Sequence, residues 1–190
     1  AANILTHESQ FRLANASNIV AAACYLAATA LVYHLLKPVD RDVSLLAAFF
    51  SVTACAVSGI GFLLRLAPLA VLTRALDGFS PEQIQTLALT FLRLNATAFS
   101  VSHVFFGLHC LLVGVLILRS VFLPRAIGVL MVGAGLGWLT MSFSNLVLPS
   151  FGRVLYPFII LPGAIGELTL ALWLLFAGVN LQRWREQANV

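Results

Sequence analysis

Long apolar runs dominate the chain, and short polar segments separate them. A run of about 20 apolar residues is long enough to cross the hydrocarbon core of a bilayer as an α-helix. Five such runs are predicted to be transmembrane helices, near 16–36, 44–67, 97–118, 125–148 and 157–180. The pattern therefore predicts an all-α fold, a polytopic transmembrane helix bundle with five spans.

The links between the runs indicate where helices end. The segments KPVDRD, RSVFLPR and PSFGRVLYP carry proline and charge, as turns at a bilayer surface do. Between the second and third spans, Ser80, Pro81 and Gln83 predict a helix that begins at Pro81 with a capping box. Its polar and apolar residues separate at helical spacing, which predicts an interfacial amphipathic helix near 81–95. An ordinary extension of the third helix is the simpler interpretation.

Composition narrows the class of protein. Hydrophobic residues make up 61% of the chain and charged residues 9%, whereas soluble domains carry about 25% charged residues. No polar linker divides the 190 residues, so residues 1–190 are predicted to form a single transmembrane domain in a lipid bilayer. The net charge is +4, and the basic residues lie mainly at the ends of the apolar runs. Such a pattern orients helices in a bilayer, and no nucleic-acid partner is predicted.

The distribution of Lys and Arg predicts an orientation. Six basic residues fall on one side of the predicted bundle, namely Lys37, Arg41, Arg119, Arg125, Arg183 and Arg185. Three fall on the other side, namely Arg12, Arg74 and Arg153, and Arg65 and Arg93 are expected near that surface. By the positive-inside rule the C-terminus is predicted to be cytoplasmic and residue 1 to lie on the outer side. The first residues do not resemble a signal peptide, and a further helix upstream would explain that topology.

A carboxylate stands close to the predicted midplane of the membrane. Glu167 is ten residues beyond Pro157, the predicted start of its helix, or about 15 Å along the axis. Burial there costs about 3 kcal/mol, so Glu167 is expected to face protein, carry a proton or have a partner. His109 is twelve residues into the third span, and its expected depth makes pairing with Glu167 geometrically possible.

A second polar group is predicted nearer the outer surface. His103 lies on the third span, and Asn145 and Arg65 could join it there, although Arg65 could equally extend to the interface. The small residues Gly107 and Gly114, and the Gly133-x-x-x-Gly137 motif, are expected to let helices approach closely within the bundle. The ligand or polar-core candidates are therefore Glu167, His109, His103, Asn145 and Arg65.

Established catalytic and metal motifs are missing from the sequence. His34 and His103 are expected at different depths, which disfavours a bis-histidine haem. The single intramembrane acid is too few for a dimetal carboxylate site, and Cys24, Cys55 and Cys110 lack paired or metal-type spacing. No metal and no cofactor is therefore predicted, and no catalytic residue is assigned.

Several motifs together resemble one known family. They are LLKPVDR (35–41), LLAAFF (45–50), FFGLH (105–109), RSVFLPRAIGVL (119–130) and GELTLALWLL (166–175). In order and spacing they resemble the bacterial membrane-protein family catalogued as domain of unknown function forty-three eighty-six. The resemblance implies a bacterial cytoplasmic (inner) membrane protein with six helices and both termini inside, so this chain is expected to lack the family's first helix. It implies no activity, substrate or cofactor.

Three functions are compatible with these observations. The favoured one is a non-enzymatic accessory or assembly component of a membrane complex, with other membrane-protein subunits as partners. The alternative is a small transporter or ligand-binding membrane protein that uses Glu167 with His109 and His103, and it predicts a water-accessible pocket at mid-membrane depth. The third is a membrane enzyme acting on a lipid or isoprenoid, with Glu167 as general acid and a second catalytic group still to be found. Enzymatic activity is thus open, with a non-enzymatic role favoured.

Overall fold

The computed structural model describes residues 2–73 and 78–188, and within them the regular structure is helical. The helices are α1 (Ala2–Thr6), α2 (Glu8–Leu36), α3 (Arg41–Thr73), α4 (Pro81–Arg119), α5 (Arg125–Val147), α6 (Pro149–Phe176) and α7 (Leu181–Ala188). Helices α2 to α5 are each long and apolar enough to cross a membrane. A fifth span results if Leu161–Phe176 and Leu181–Ala188, which meet at 104°, are taken together. The prediction of a transmembrane helix bundle is confirmed.

The helix boundaries correct two of the predicted spans. The first helix begins at Glu8, well before the predicted residue 16. The segment PSFGRVLYP was predicted to be a turn but is helical, because α6 already begins at Pro149. A proline fits the first turn of a helix, where its missing N–H has no partner to lose. Glu167 lies nine residues before Phe176, about 14 Å along the axis, so its position near the membrane midplane stays a prediction.

The start of α4 matches its sequence pattern. Gln83 N donates to Ser80 Oγ at 3.3 Å, and Ser80 N donates to Gln83 Oε1 at 2.8 Å. These two bonds form the predicted capping box, with Pro81 in the first turn. The helix then runs unbroken to Arg119, so residues 81–95 continue directly into the predicted span. Their location at a membrane interface stays a prediction.

The long helices pack in chain order, as a row. Helix α3 packs against α2 and α4, and α5 packs against α4 and α6. Among the described residues, no Cα atoms of α2 and α6 lie within 8 Å of each other; α2 approaches α4, and α6 packs against α5. The buried apolar core lies toward the end of the bundle that holds Arg119, where Leu36, Leu116 and Ile117 are almost fully enclosed. The row therefore leaves a gap between its first and last members.

Glycines bring α4 and α5 into backbone contact. A Cβ at Gly135 would stand 2.7 Å from the Gly107 carbonyl oxygen, and one at Gly114 would stand 2.9 Å from the Gly128 carbonyl oxygen. Such close approach is a main source of helix association in lipid. Gly107 and Gly114 thus act as predicted, whereas a Cβ at Gly133 would meet no atom of the described residues within 4 Å.

A short helix closes the Arg119 end. Gly178 has φ of +68°, a left-handed conformation that favours glycine, and α6 ends at Phe176 instead of the predicted residue 180. Helix α7 then packs against this end of the bundle, where Trp184 Nε1–H donates to the Leu35 carbonyl oxygen at 2.9 Å. This bond attaches α7 to the end of α2, next to the buried core.

Candidate functional site

Glu167 has a hydrogen-bond partner on the neighbouring helix. Trp138 Nε1–H donates to Glu167 Oε1 at 2.8 Å and thereby joins α5 to α6. Two glycines on α6 make this geometry possible. A Cβ at Gly163 would stand 2.7 Å from the Trp138 ring, and one at Gly166 would stand 2.7 Å from the Leu130 carbonyl oxygen. Glu167 therefore has the partner that was expected for it, and that partner is the indole of Trp138.

Glu167 also borders a cavity of about 150 Å³, here called the central cavity. It lies in the gap between α2 and α6, and its floor is made by α4 and α5. Four polar side chains face it, those of Tyr25, Thr29, His109 and Glu167. The rest of its lining is apolar, namely Ala28, Val32, Val113, Met131, Leu170, Ala171 and Leu174. Glu167 and His109 thus share one cavity, and no hydrogen bond joins them directly among the described residues.

The orientation of the His109 ring is set by helix α3. Its Nδ1 lies 2.9 Å from the Ala47 carbonyl oxygen, in a buried position. A carbonyl oxygen only accepts, so Nδ1 must carry the hydrogen and Nε2 is the ring atom left for another partner. Within the described residues, Nε2 makes no hydrogen bond.

Helix α2 contributes two polar side chains that were not singled out from the sequence. Thr29 Oγ1 lies 2.6 Å from Ser51 Oγ, a buried hydrogen bond between α2 and α3. The Tyr25 ring packs against Phe106, with ring centroids 5.3 Å apart, and against His109 at 6.2 Å. Tyr25 and Thr29 are four residues apart in a highly apolar helix, a spacing that places both on one face and could have revealed them.

Tyr25 also borders a second cavity, of about 240 Å³, between α2, α3 and α4. The hydroxyls of Ser58 and Ser102 lie 2.8 Å apart in its wall. Asn18 lines it from α2, and one turn away the buried Asn15 amide has no hydrogen-bond partner in the described part of the chain. This end of α2 therefore holds polar groups that the described protein does not fully satisfy.

His103 packs against the Trp138 ring and also lines the second cavity. Its Nδ1 donates to the Phe99 carbonyl oxygen at 2.6 Å, and its ring centroid is 4.8 Å from that of Trp138. Asn145 and His103 line a third and wider space of about 850 Å³ between α4 and α5. His103 and Glu167 are thus connected through the indole of Trp138.

The remaining candidate, Arg65, is placed elsewhere. Its guanidinium carbon stands 5.8 Å from the centroid of the Phe11 ring on α2, a cation–π contact. The structure therefore brings Glu167 and His109 to one cavity and His103 and Asn145 to another, and pairs Arg65 with an aromatic ring. Over residues 2–73 and 78–188, no group of three or more His, Cys, Asp or Glu side chains is arranged to hold a metal ion.

Comparison with known proteins adds the family. No curated protein and no solved structure matches the chain at a significant level. The family model described as domain of unknown function (DUF4386) matches residues 1–178. Because this match covers nearly all of the sequence, including Trp138, His103, His109 and Glu167, the chain belongs to the DUF4386 family of proteins.

Proposed function

We propose that this protein binds a small ligand within the membrane, in the central cavity bordered by Glu167, His109 and Tyr25. The observation that carries the proposal is the meeting of a carboxyl group and an imidazole at one cavity with apolar walls. Ligand sites typically combine mostly apolar walls with a few placed polar groups. An ionisable residue inside the membrane is itself a functional hypothesis by default.

Unused acceptor atoms distinguish this arrangement from a purely structural one. Glu167 Oε1 accepts from Trp138, and His109 Nδ1 donates to Ala47, so one polar atom of each side chain already bonds to a neighbouring helix. Glu167 Oε2 and His109 Nε2 make no hydrogen bond among the described residues. Both atoms can accept, so both are available to a ligand that donates hydrogen bonds.

The size and lining of the cavity suggest a ligand class. A dry apolar cavity of about 150 Å³ in another protein accommodates benzene. The central cavity is of that size, about 150 Å³, and adds a carboxyl and an imidazole. The proposed ligand is a small apolar molecule with one amine or hydroxyl group. A larger molecule could also place such a polar end in the cavity by entering between α2 and α6.

Thermal unfolding of the purified protein in a nonionic detergent tests the proposal. Benzylamine and toluene share a ring that fits the cavity, but only benzylamine can donate to Glu167 Oε2. A ligand that binds the folded protein raises its Tm by mass action. We expect benzylamine to raise Tm more than toluene does, and Glu167→Gln to remove most of the difference. Equal shifts from the two compounds in the unmodified protein would contradict the proposal.

Filling the cavity gives an independent arm of the same test. Ala28 lines the central cavity, whereas Ala30 is exposed and does not line it. Ala28→Phe is expected to abolish the benzylamine shift, and Ala30→Phe, a substitution of the same size on the same helix, is expected to preserve it. Loss of the shift in both variants would show that the effect does not come from the cavity.

An accessory role in a membrane complex is a second candidate, supported by the hydrogen bond between Trp138 and Glu167. An accessory role predicts polar side chains that hold helices together, as this bond does. It also predicts that Glu167→Gln keeps function, since the amide retains an oxygen that accepts from the indole. Native mass spectrometry of gently extracted protein separates the two functions. Stoichiometric protein subunits would favour the accessory role, and a retained small-molecule mass that Ala28→Phe removes would favour the binding site.

A further inference from the structure

The third space, the widest of the three described above, is a fissure between α4 and α5 of about 850 Å³. It lies beyond the contact at which the Gly107 and Gly135 backbones touch. Past that contact, Trp138 and Met141 of α5 line the fissure opposite α4. The residues that line the fissure from α4 include Arg93, Thr97, Ser100 and His103.

We expect the fissure to lead from a membrane surface into the hydrocarbon layer. Arg93 and Arg119 are 26 residues apart on one unbroken helix, about 39 Å along its axis. A bilayer with its headgroups is about 40–45 Å thick, so the two arginines can occupy opposite headgroup layers. His103 and Trp138, at the far end of the fissure, lie ten residues or about 15 Å below Arg93.

The polarity of the fissure changes along that path. Its mouth carries the exposed guanidinium of Arg93 and the amide of Asn145, and no acidic side chain belongs to its lining. No ion pair to Arg93 occurs within the described residues. Deeper in, the walls are made by the apolar side chains of Phe99, Trp138 and Met141, beside Ser100 and His103. A positive mouth above a slot with mostly apolar walls complements a molecule with an anionic head and an apolar chain.

We propose that this fissure binds an anionic amphiphile, with its carboxylate or phosphate at Arg93 and Asn145 and its chain against Trp138. Such a molecule can be a free fatty acid or an anionic phospholipid, and both offer the same chemistry. The proposal goes beyond the central cavity, because Arg93, Asn145 and the fissure walls are not part of that cavity's lining. Each site can therefore fail its test without affecting the other.

Fluorescence quenching tests this proposal in the full chain, in a nonionic detergent at pH 8. The probes are 11-bromoundecanoic acid and 11-bromoundecanol, which place a heavy-atom quencher at the end of chains of equal length. We expect the acid to quench tryptophan emission saturably and to bind about fivefold more tightly than the alcohol, the scale of an exposed charge pair. Trp138→Phe should remove the saturable component, although Trp173 and Trp184 remain.

Two arginine variants decide whether the charge acts at the proposed place. Arg93→Gln is expected to make acid and alcohol bind equally, whereas Arg65→Gln should retain the fivefold difference, since Arg65 lies over Phe11 instead. Both residues lie toward the same end of the bundle, so the comparison separates a local contact from a general surface charge. Equal binding of acid and alcohol in the unmodified protein, or an equal loss in both variants, would overturn the proposal.

Competition identifies the source of the anion. Displacement of the bromo acid by dodecanoate supports a free fatty acid, and displacement by phosphatidylglycerol but not phosphatidylcholine supports an anionic lipid. Displacement by inorganic phosphate at the same concentration would overturn the proposal, because the apolar chain would then contribute nothing. Failure of every competitor would also overturn it, since the quenching would not come from a defined site.

Discussion

The contact between α4 and α5 and the gap between α2 and α6 differ in how the two helix pairs approach each other. At the first, glycines bring the backbones together, and a Cβ at Gly135 would stand 2.7 Å from a carbonyl oxygen. At the second, no Cα atoms of the two helices lie within 8 Å of each other in the described part of the chain, and a carboxyl and an imidazole border the space that remains. Close packing thus accounts for stability at one place, and incomplete packing leaves polar atoms available at the other.

The largest expected effect comes from breaking the α4–α5 contact. Gly135→Leu forces a side chain into the Gly107 backbone and is expected to lower the free energy of unfolding by about 2–3 kcal/mol. Gly133→Leu, two residues away on the same helix, meets open space and should change it little. Reversible unfolding in mixed detergent micelles measures both variants. Equal destabilisation would mean that the change of residue type, and not the contact, is responsible.

The second effect concerns the bond beside the central cavity. Trp138→Phe leaves Glu167 Oε1 without its donor and is expected to cost about 1–2 kcal/mol of unfolding free energy. Trp173→Phe is the matched control, because Trp173 is 39% exposed and its indole makes no such bond among the described residues. An unchanged unfolding free energy in Trp138→Phe would show that the α5–α6 tie adds no stability.

A smaller effect is expected on the other side of the cavity. Thr29→Val removes the buried hydrogen bond to Ser51, and bonds between membrane helices contribute about 0.6 kcal/mol on average. Thr53→Val serves as control, because the Thr53 hydroxyl bonds only to the Phe49 carbonyl oxygen of its own helix. If Thr29→Val lowers the free energy of unfolding no more than Thr53→Val does, the hydrogen bond between Thr29 and Ser51 adds no stability.

The smallest expected effect on stability is that of filling the cavity. Ala28→Phe places a ring in space that is already vacant, so the unfolding free energy should change by less than about 0.5 kcal/mol. A large destabilisation would mean that α2 and α6 approach each other more closely than the cavity allows.

Local sequence patterns predicted the helices well. Ser80 and Gln83 predicted the start of α4, since a capping box needs only neighbouring residues. The start of α6 was misplaced because Pro149 and Pro157 are both compatible with a helix start, and only the helix actually formed decides between them. Gly107 and Gly114 were identified as contact points, but their partners Gly128 and Gly135 depend on how α5 is rotated.

The sequence predicted several residues of the candidate site but not which side chains contact each other. Position along a helix axis follows from counting residues, and the count predicted similar depths for Glu167 and His109. Both residues line the central cavity. The direction in which each side chain points depends on helix rotation, which is set by packing. Trp138 as the partner of Glu167, and Tyr25 and Thr29 as cavity residues, therefore emerged only from the structure.

The most direct test of the account is whether the central cavity can be reached by water. In a chain whose native cysteines are replaced, Ala171→Cys would border the cavity and Leu172→Cys would lie on the exposed apolar face of α6. A charged methanethiosulfonate reagent modifies thiolates, which form only where water is present. The account predicts that Ala171→Cys reacts, that benzylamine slows the reaction, and that Leu172→Cys does not react. An unreactive Ala171→Cys would contradict it and leave Glu167 as a structural tie alone.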